Sequence, residues 1–220
     1  MSLSSRRLVL ALLCCLVILP GVSACSWFSE DYLSQEQSPG VDHPDSAGFR
    51  VITRNEITPP KPAFNFQLTD QTNSPLSLED LRGSVVLITF LYTHCPEACP
   101  IVAANVRGVQ EKLIDDVTQK DLSLVLITTD PENDDPQRLN SYTQALGGQW
   151  HFLTGSMDLM QEVWSKYDIF WEIKDRTQEI VVYHSYKTYL IDRDGQIRFI
   201  FVGVWFPDDI IPDIINLLGE

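Results

Sequence analysis

Residues 84–100 read SVVLITFLYTHCPEACP. From Ser84 to Tyr92 the run is apolar apart from Ser84 and Thr89, as a strand covered on both faces requires. It ends in Thr93-His94-Cys95-Pro96-Glu97-Ala98-Cys99-Pro100. There a helical pattern takes over, predicted from Pro100 to about Val117, with Ile101, Val102, Val106, Val109 and Leu113 on one face. Two cysteines therefore stand where a buried strand hands over to a helix. Unpaired N–H groups and the helix dipole at such a terminus favour thiolates and lower their pKa. Pro96 and Pro100 lack an N–H and suit a first turn. A spacing of four, if helical, puts the two Cα atoms about 6 Å apart, within disulfide range. The pair can oxidise to a disulfide or grip a soft metal ion. A purely structural staple would close a very short loop and gain little from chain entropy.

Working outward, Phe64–Leu68 alternates like a half-buried strand, and Leu76-Ser77-Leu78 is a second short one. Leu122–Thr128 is another buried strand. Pro136–Leu146 is a helix ended by Gly147-Gly148. His151-Phe152-Leu153 is strand-like. Ser156 caps a helix to about Ile169, with Leu159, Met160, Val163 and Tyr167 inward. Glu179–Tyr183 and Ser185–Ile191 are extended. Asp194-Gly195 marks a hairpin into Gln196–Val202, and Pro207–Leu218 closes the chain as a helix. The order ββ, βαβα, ββα predicts a thioredoxin-like α/β sandwich with an N-terminal β-hairpin extension, spanning 63–220.

The N-terminus reads as an address. Residues 1–24 hold Arg6 and Arg7, the apolar run Leu8–Leu19, and no acid. That is a signal peptide, the run being shorter than the about 20 residues a membrane span needs. Residues 25–62, rich in Ser, Gln, Glu, Asp and Pro, read as a flexible linker, with Phe49-Arg50-Val51-Ile52 pairing as an edge strand as the alternative. The chain has 220 residues and a net charge of −14. Losing the leader leaves 14 bases against 30 acids, a net charge of −16. Such a chain is a poor match for nucleic acid or an anionic membrane surface, and a better one for a basic partner or a cation. Of five cysteines, Cys14 and Cys15 leave with the leader, Cys25 sits at the cleavage point, and only Cys95 and Cys99 stay in the body. Outside the cytoplasm such a pair is a disulfide or a metal pair.

Two resemblances follow from these residues. Val22-Ser23-Ala24-Cys25 resembles the lipobox of bacterial lipoproteins, which implies lipidation at Cys25, a flexible tether and a place in the cell envelope facing the periplasm or exterior. Thr93-x-Cys95-Pro-x-x-Cys99-Pro, preceded by Phe90-x-Tyr92, resembles the signature of the Sco/SenC copper-chaperone family. Leu81-Arg82-Gly83, Thr129-Asp130-Pro131-Glu132-x-Asp134-x-Pro136, Trp150-x-Phe-Leu-Thr-Gly155, His184-Ser185 and Tyr189-Leu-Ile-Asp-x-Asp194-Gly195 match further family segments in order. The resemblance implies one copper ion, Cu(I) or Cu(II), held by Cys95, Cys99 and His184, with Asp130 as a nearby carboxylate. Two thiolates and an imidazole suit copper in either state. It also implies an inserted hairpin over Phe170–Tyr183, turning at Asp175-Arg176-Thr177, that brings His184 over the cysteines. One departure is Tyr183, where many members have an acid that would orient the imidazole. His94 reads as an outer or surface group, and His43 and His151 receive no role.

Two functions compete on this reading. The first is a membrane-tethered, monomeric metallochaperone delivering copper to subunit two of cytochrome c oxidase, as the family implies. The second is a thiol–disulfide oxidoreductase that reduces target cysteines through Cys95 and Cys99, against which the spacing Cys-x-x-x-Cys speaks mildly. A peroxidase is disfavoured because Thr93 stands two rather than three residues before Cys95, and a zinc hydrolase has no other support.

Overall fold

The computed structural model describes residues 52–176 and 179–220. The leader, Cys25, most of the linker, residues 49–51 and Thr177 lie outside it. In chain order the elements are β1 (Thr53–Pro62), β2 (Gln67–Asp70), β3 (Pro75–Ser77), β4 (Val85–Leu91), α1 (Cys99–Lys112), α2 (Ile114–Gln119), β5 (Leu122–Thr128), α3 (Pro136–Leu146), β6 (His151–Thr154), α4 (Met157–Lys166), β7 (Trp171–Arg176), β8 (Glu179–His184), β9 (Lys187–Ile191), β10 (Gln196–Val202) and α5 (Pro207–Leu218).

One sheet runs β1-β10-β9-β4-β5-β6-β2-β3, and β7 and β8 form a separate hairpin. Strands β4, β5 and β6 are parallel, while β9 joins β4 and β2 joins β6 antiparallel. All residues of β4 and β5 are buried. Because strand side chains alternate, each strand feeds two cores. Val85, Leu87 and Leu91 pack with Val102, Val106 and Val109 of α1, Leu139 of α3 and Ile210 and Ile214 of α5. Val86, Ile88 and Phe90 pack with Met160, Val163 and Trp164 of α4, and with Phe66 and Leu68. This is the thioredoxin-like sandwich, with the N-terminal hairpin β2–β3 and the inserted hairpin β7–β8. Helix α3 ends at Gly147, whose φ of +61° closes the last turn. Among the described residues, no helix is long and apolar enough to cross a membrane.

Element ends shift by a few residues, and Asp175 and Arg176, expected at a turn, close β7 instead; beyond these, the structure departs from the sequence reading in four places. Residues 53–62 are not linker: they form β1, antiparallel to β10 from Thr53↔Val202 to Pro62↔Gln196. Nine of its ten residues are exposed, so no alternation marks it, and Pro59, Pro60 and Pro62 are tolerated because the strand is an edge. The helix predicted to Val117 breaks at Leu113, at φ −122°, and both Leu113 and, in the short α2, Val117 pack partly buried against the core. Ile101 is 48% exposed, beside the buried stripe rather than in it. Leu159 is likewise exposed, because Met160, Val163, Trp164 and Tyr167 make the inward i, i+3, i+4, i+7 stripe.

Candidate metal and thiol centre

Parallel strands β4 and β5 end together, and the loop leaving β4 carries the cysteines. Cys95 lies in that loop and Cys99 is the first residue of α1, so the pair straddles the helix start instead of sharing a helix face. Both are buried, unbonded thiols. Their side chains are hydrogen-bonded, and the two members differ. Cys95 is held down to about 6, first by the Cys99 thiol that donates to it, then by the N–H groups of Cys99 and Glu97 and by the Tyr92 hydroxyl. Burial opposes this without cancelling it. Cys99 is pushed up, first by giving its proton to Cys95 and then by burial. The expected lowering therefore falls on one thiol, because two sulfurs in contact cannot both carry charge cheaply.

His184 ends β8, and its Nε2 stands 3.6 Å from Cys99 Sγ. Its Nδ1 is 3.2 Å from the Ser185 carbonyl, which can only accept. The proton therefore sits on Nδ1, and the Nε2 lone pair faces the sulfur. A backbone carbonyl thus orients this imidazole, at a position where Tyr183 offers no carboxylate to do so. Burial lowers the His184 pKa, the Ser185 carbonyl opposing it, which favours the neutral, ligand-competent ring. Tyr92 and Tyr186 flank the ring edge-on, with centroids at 6.0 and 5.0 Å. The Tyr92 phenol is pushed up, chiefly by burial and then by Cys95, so it stays a neutral donor to that sulfur.

The donor set suits a soft ion. With zinc-like bonds of about 2.3 Å to sulfur and about 2.0 Å to nitrogen, a tetrahedral angle separates the two donors by about 3.5 Å. The Cys99–His184 separation of 3.6 Å matches. Among the described residues no three His, Cys, Asp or Glu side chains stand together closely enough to hold a metal ion, so binding one requires these three to move together.

Asp130 sits after β5 with its carboxylate taken by Asn133 Nδ2 at 2.9 and 3.1 Å. The carboxylate that reaches the cysteine loop is Asp134, fully buried. It accepts from Thr93 N at 3.1 Å, Thr93 Oγ1 at 2.5 Å and Thr128 Oγ1 at 2.6 Å. Arg138 Nε adds a bond to Thr93 Oγ1 at 2.9 Å. His94 is an exposed neighbour, 3.2 Å from Thr93 Oγ1. Asp134 stood in the sequence as a matched position of the Asp-Pro-Glu segment, but that reading gave the role near the site to Asp130.

The SCO1/SenC family model matches residues 55–219. The chain belongs to this family. It is 32% identical over 156 residues to the SCO1 protein homolog of Bacillus subtilis, covering 69% of this chain and 79% of that one. It is 35% identical over 136 residues to the mitochondrial SCO2 homolog of Mus musculus, covering 60% of this chain and 52% of that one. The Sco chain thus spans about half the length of the mouse relative. Among solved structures, a SCO1/SenC family lipoprotein from Bacillus anthracis superposes with a TM-score of 0.64 at 27% identity, covering 74% of this chain and 99% of that one. Copper-bound ScoI of Bradyrhizobium japonicum gives 0.59 at 26%, covering 70% and 98%. BsSco, described as having a disulfide switch and as one of the Sco cytochrome c oxidase assembly proteins, gives 0.61 at 29%, covering 74% and 98%.

Proposed function

We propose that this protein is an envelope copper chaperone. It takes one copper ion on Cys95, Cys99 and His184 and passes it to the copper centre in subunit two of cytochrome c oxidase during assembly. The observation that carries this reading is the contact of Cys99 Sγ with a His184 Nε2 whose lone pair is directed at it by the Ser185 carbonyl. The copper-bound relative and the assembly role given for BsSco support it. Thiolates supply the soft ligands that hold Cu(I), and the imidazole accommodates Cu(II). Tyr92, Tyr186 and the buried walls limit water around the donors. Transfer proceeds by ligand exchange at the exposed side of the loop, where Cys95 lies nearer solvent than Cys99. In this reading residues 1–24 are a leader, Cys25 carries lipid, and the segment from 25 to β1 is the tether. The Bacillus anthracis lipoprotein is in keeping with such an anchor. The chaperone acts as a monomer.

Anaerobic titration of the reduced protein with cupric ion tests this, following sulfur-to-copper charge-transfer absorption in the parent and in His184→Ala. One tight ion per chain, weakened by the substitution, is expected. No tight copper at all would overturn the reading.

The unequal thiols favour a second activity. Cys95, poised near 6, attacks a target disulfide to form a mixed disulfide and releases one target thiolate. Cys99 then gives up its proton and attacks Cys95 Sγ, which leaves Cys95–Cys99 oxidised and the second target thiol free. Two electrons pass to the target, and an external dithiol must restore them. This reduction would prepare the recipient's cysteines for copper. It predicts that the reduced protein reduces a disulfide-containing copper-site peptide, and that Cys95→Ser abolishes this.

A further inference from the structure

The three proposed ligands come from two separate arms. Cys95 and Cys99 ride on the loop after β4, and His184 ends the inserted hairpin. Both arms are fastened to one short segment, Thr128–Asp134, that supplies no ligand. On the cysteine side, buried Asp134 takes the N–H and hydroxyl of Thr93, two residues before Cys95, and is itself braced by Thr128. On the histidine side, the residue paired with His184 across the hairpin is Trp171. The Trp171 indole donates from Nε1 to the Thr129 carbonyl at 2.8 Å. It stacks on Trp164 with ring centroids 4.9 Å apart and planes 27° apart. Trp164 in turn donates to the Thr128 carbonyl at 3.1 Å. The segment is tied to the sheet by Thr129 N donating to the Leu91 carbonyl, at the end of the strand that leads into the cysteine loop.

Resting on the three-ligand reading, we propose that Trp171 and Asp134 are positioning residues that set the gap between the two arms, Trp171 acting on His184 alone and Asp134 acting on the cysteine pair alone. The hairpin has a second tie higher up, where the Val182 backbone hydrogen-bonds the Tyr92 hydroxyl and the Val182 side chain packs in the core, so the role of Trp171 is confined to the base, at His184 itself. Ser185 bonds back to Phe170 through its N–H and its hydroxyl, but those bonds hold the neck together without tying it to the cysteine side. The Trp171–Thr129 bond does tie it. Without that bond the hairpin base can tilt about its neck, and Nε2 moves off Cys99. Loss of Asp134's charge releases Thr93, so the loop can shift both sulfurs while His184 stays in place.

Competition with a chromogenic chelator for cuprous ion on the reduced full chain tests this, using Trp171→Phe and Asp134→Asn, each alone and combined with His184→Ala. Partners that orient metal ligands are worth roughly tenfold or more in affinity. Trp171→Phe keeps a ring to stack on Trp164 and should lose about tenfold affinity in the parent but nothing further in His184→Ala. Asp134→Asn should lose affinity by a similar factor in both backgrounds. Far-UV circular dichroism monitors the fold of each variant. A Trp171→Phe loss of equal size in both backgrounds, or no loss in either, would overturn the assignment of Trp171. No loss for Asp134→Asn would overturn that of Asp134. A parent affinity indifferent to His184→Ala would instead overturn the three-ligand reading and the Trp171 half with it.

Discussion

Cys95 and Cys99 are each followed by a proline in sequence, and have opposite chemistry in the fold. Contact between the sulfurs sends the proton to the more deeply buried one. The alkylation rate of the copper-free protein by iodoacetamide should therefore rise through a midpoint near pH 6 at Cys95, with Cys99 unmodified over the same interval. Peptide mapping after partial labelling checks this; a midpoint near the ordinary thiol value of about 8.5 would contradict it. Polar groups inside the sandwich are held as closely. Thr188 Oγ1 accepts from Trp205 Nε1 at 2.7 Å and donates to Thr89 Oγ1 at 2.9 Å. Thr188→Val keeps the shape and orphans a buried indole N–H, a cost of about 1–3 kcal/mol. Chemical denaturation should show that loss with an unchanged m-value. The sequence identified Cys95, Cys99 and His184 as candidates because type and order within a motif are local information. It did not single out Asp134 or Trp171, whose partners are 41 and 42 residues away.

At the scale of elements, buried strands and amphipathic helices were legible and edges were not. Strands β4 and β5 announce themselves by unbroken apolar runs, and α3 by its Asp135 cap, Pro136 start and Gly147 end. β1 has no such mark, because an exposed edge strand buries almost nothing and is held by backbone bonds. Its main side-chain tie is Arg54, bidentate to Asp213 of α5 at 2.7 Å for both bonds and 4.5 Å over the Phe199 ring. A chain beginning at Ala63 leaves the β10 edge unpaired, so it should melt several degrees lower than one beginning at Ile52 and aggregate on heating. Calorimetry with light scattering separates the two. Equal melting and solubility would mean that β1 is an ornament to the fold.

For the molecule as a whole, the pH dependence of stability gathers the buried titratable groups. His184 has its pKa lowered by burial, so the folded chain binds its proton less readily than the unfolded chain. Stability therefore falls as pH drops below about 6.5, and His184→Gln should flatten that part of the curve in the copper-free protein. Asp70 also has its pKa lowered, the ordinary direction for a carboxylate that accepts several hydrogen bonds. Burial pushes it up, but the bonds from Thr72 and Ser74 outweigh this and lower it. Its contribution is present above about 3.9 and is lost as pH falls through its folded value. Urea titrations between pH 3 and 8 should show both steps. Composition, the apolar runs and the cysteine motif were enough to establish an acidic α/β sandwich with a reactive pair at a strand end, since burial periodicity and turn chemistry are written within a few residues of where they act. The split of the two thiols, the backbone carbonyl that turns His184, the Thr128–Asp134 segment holding both arms and the strand β1 were decided only in three dimensions. Each depends on groups that meet by packing across the sheet or the hairpin, and no pattern along the chain encodes such a meeting.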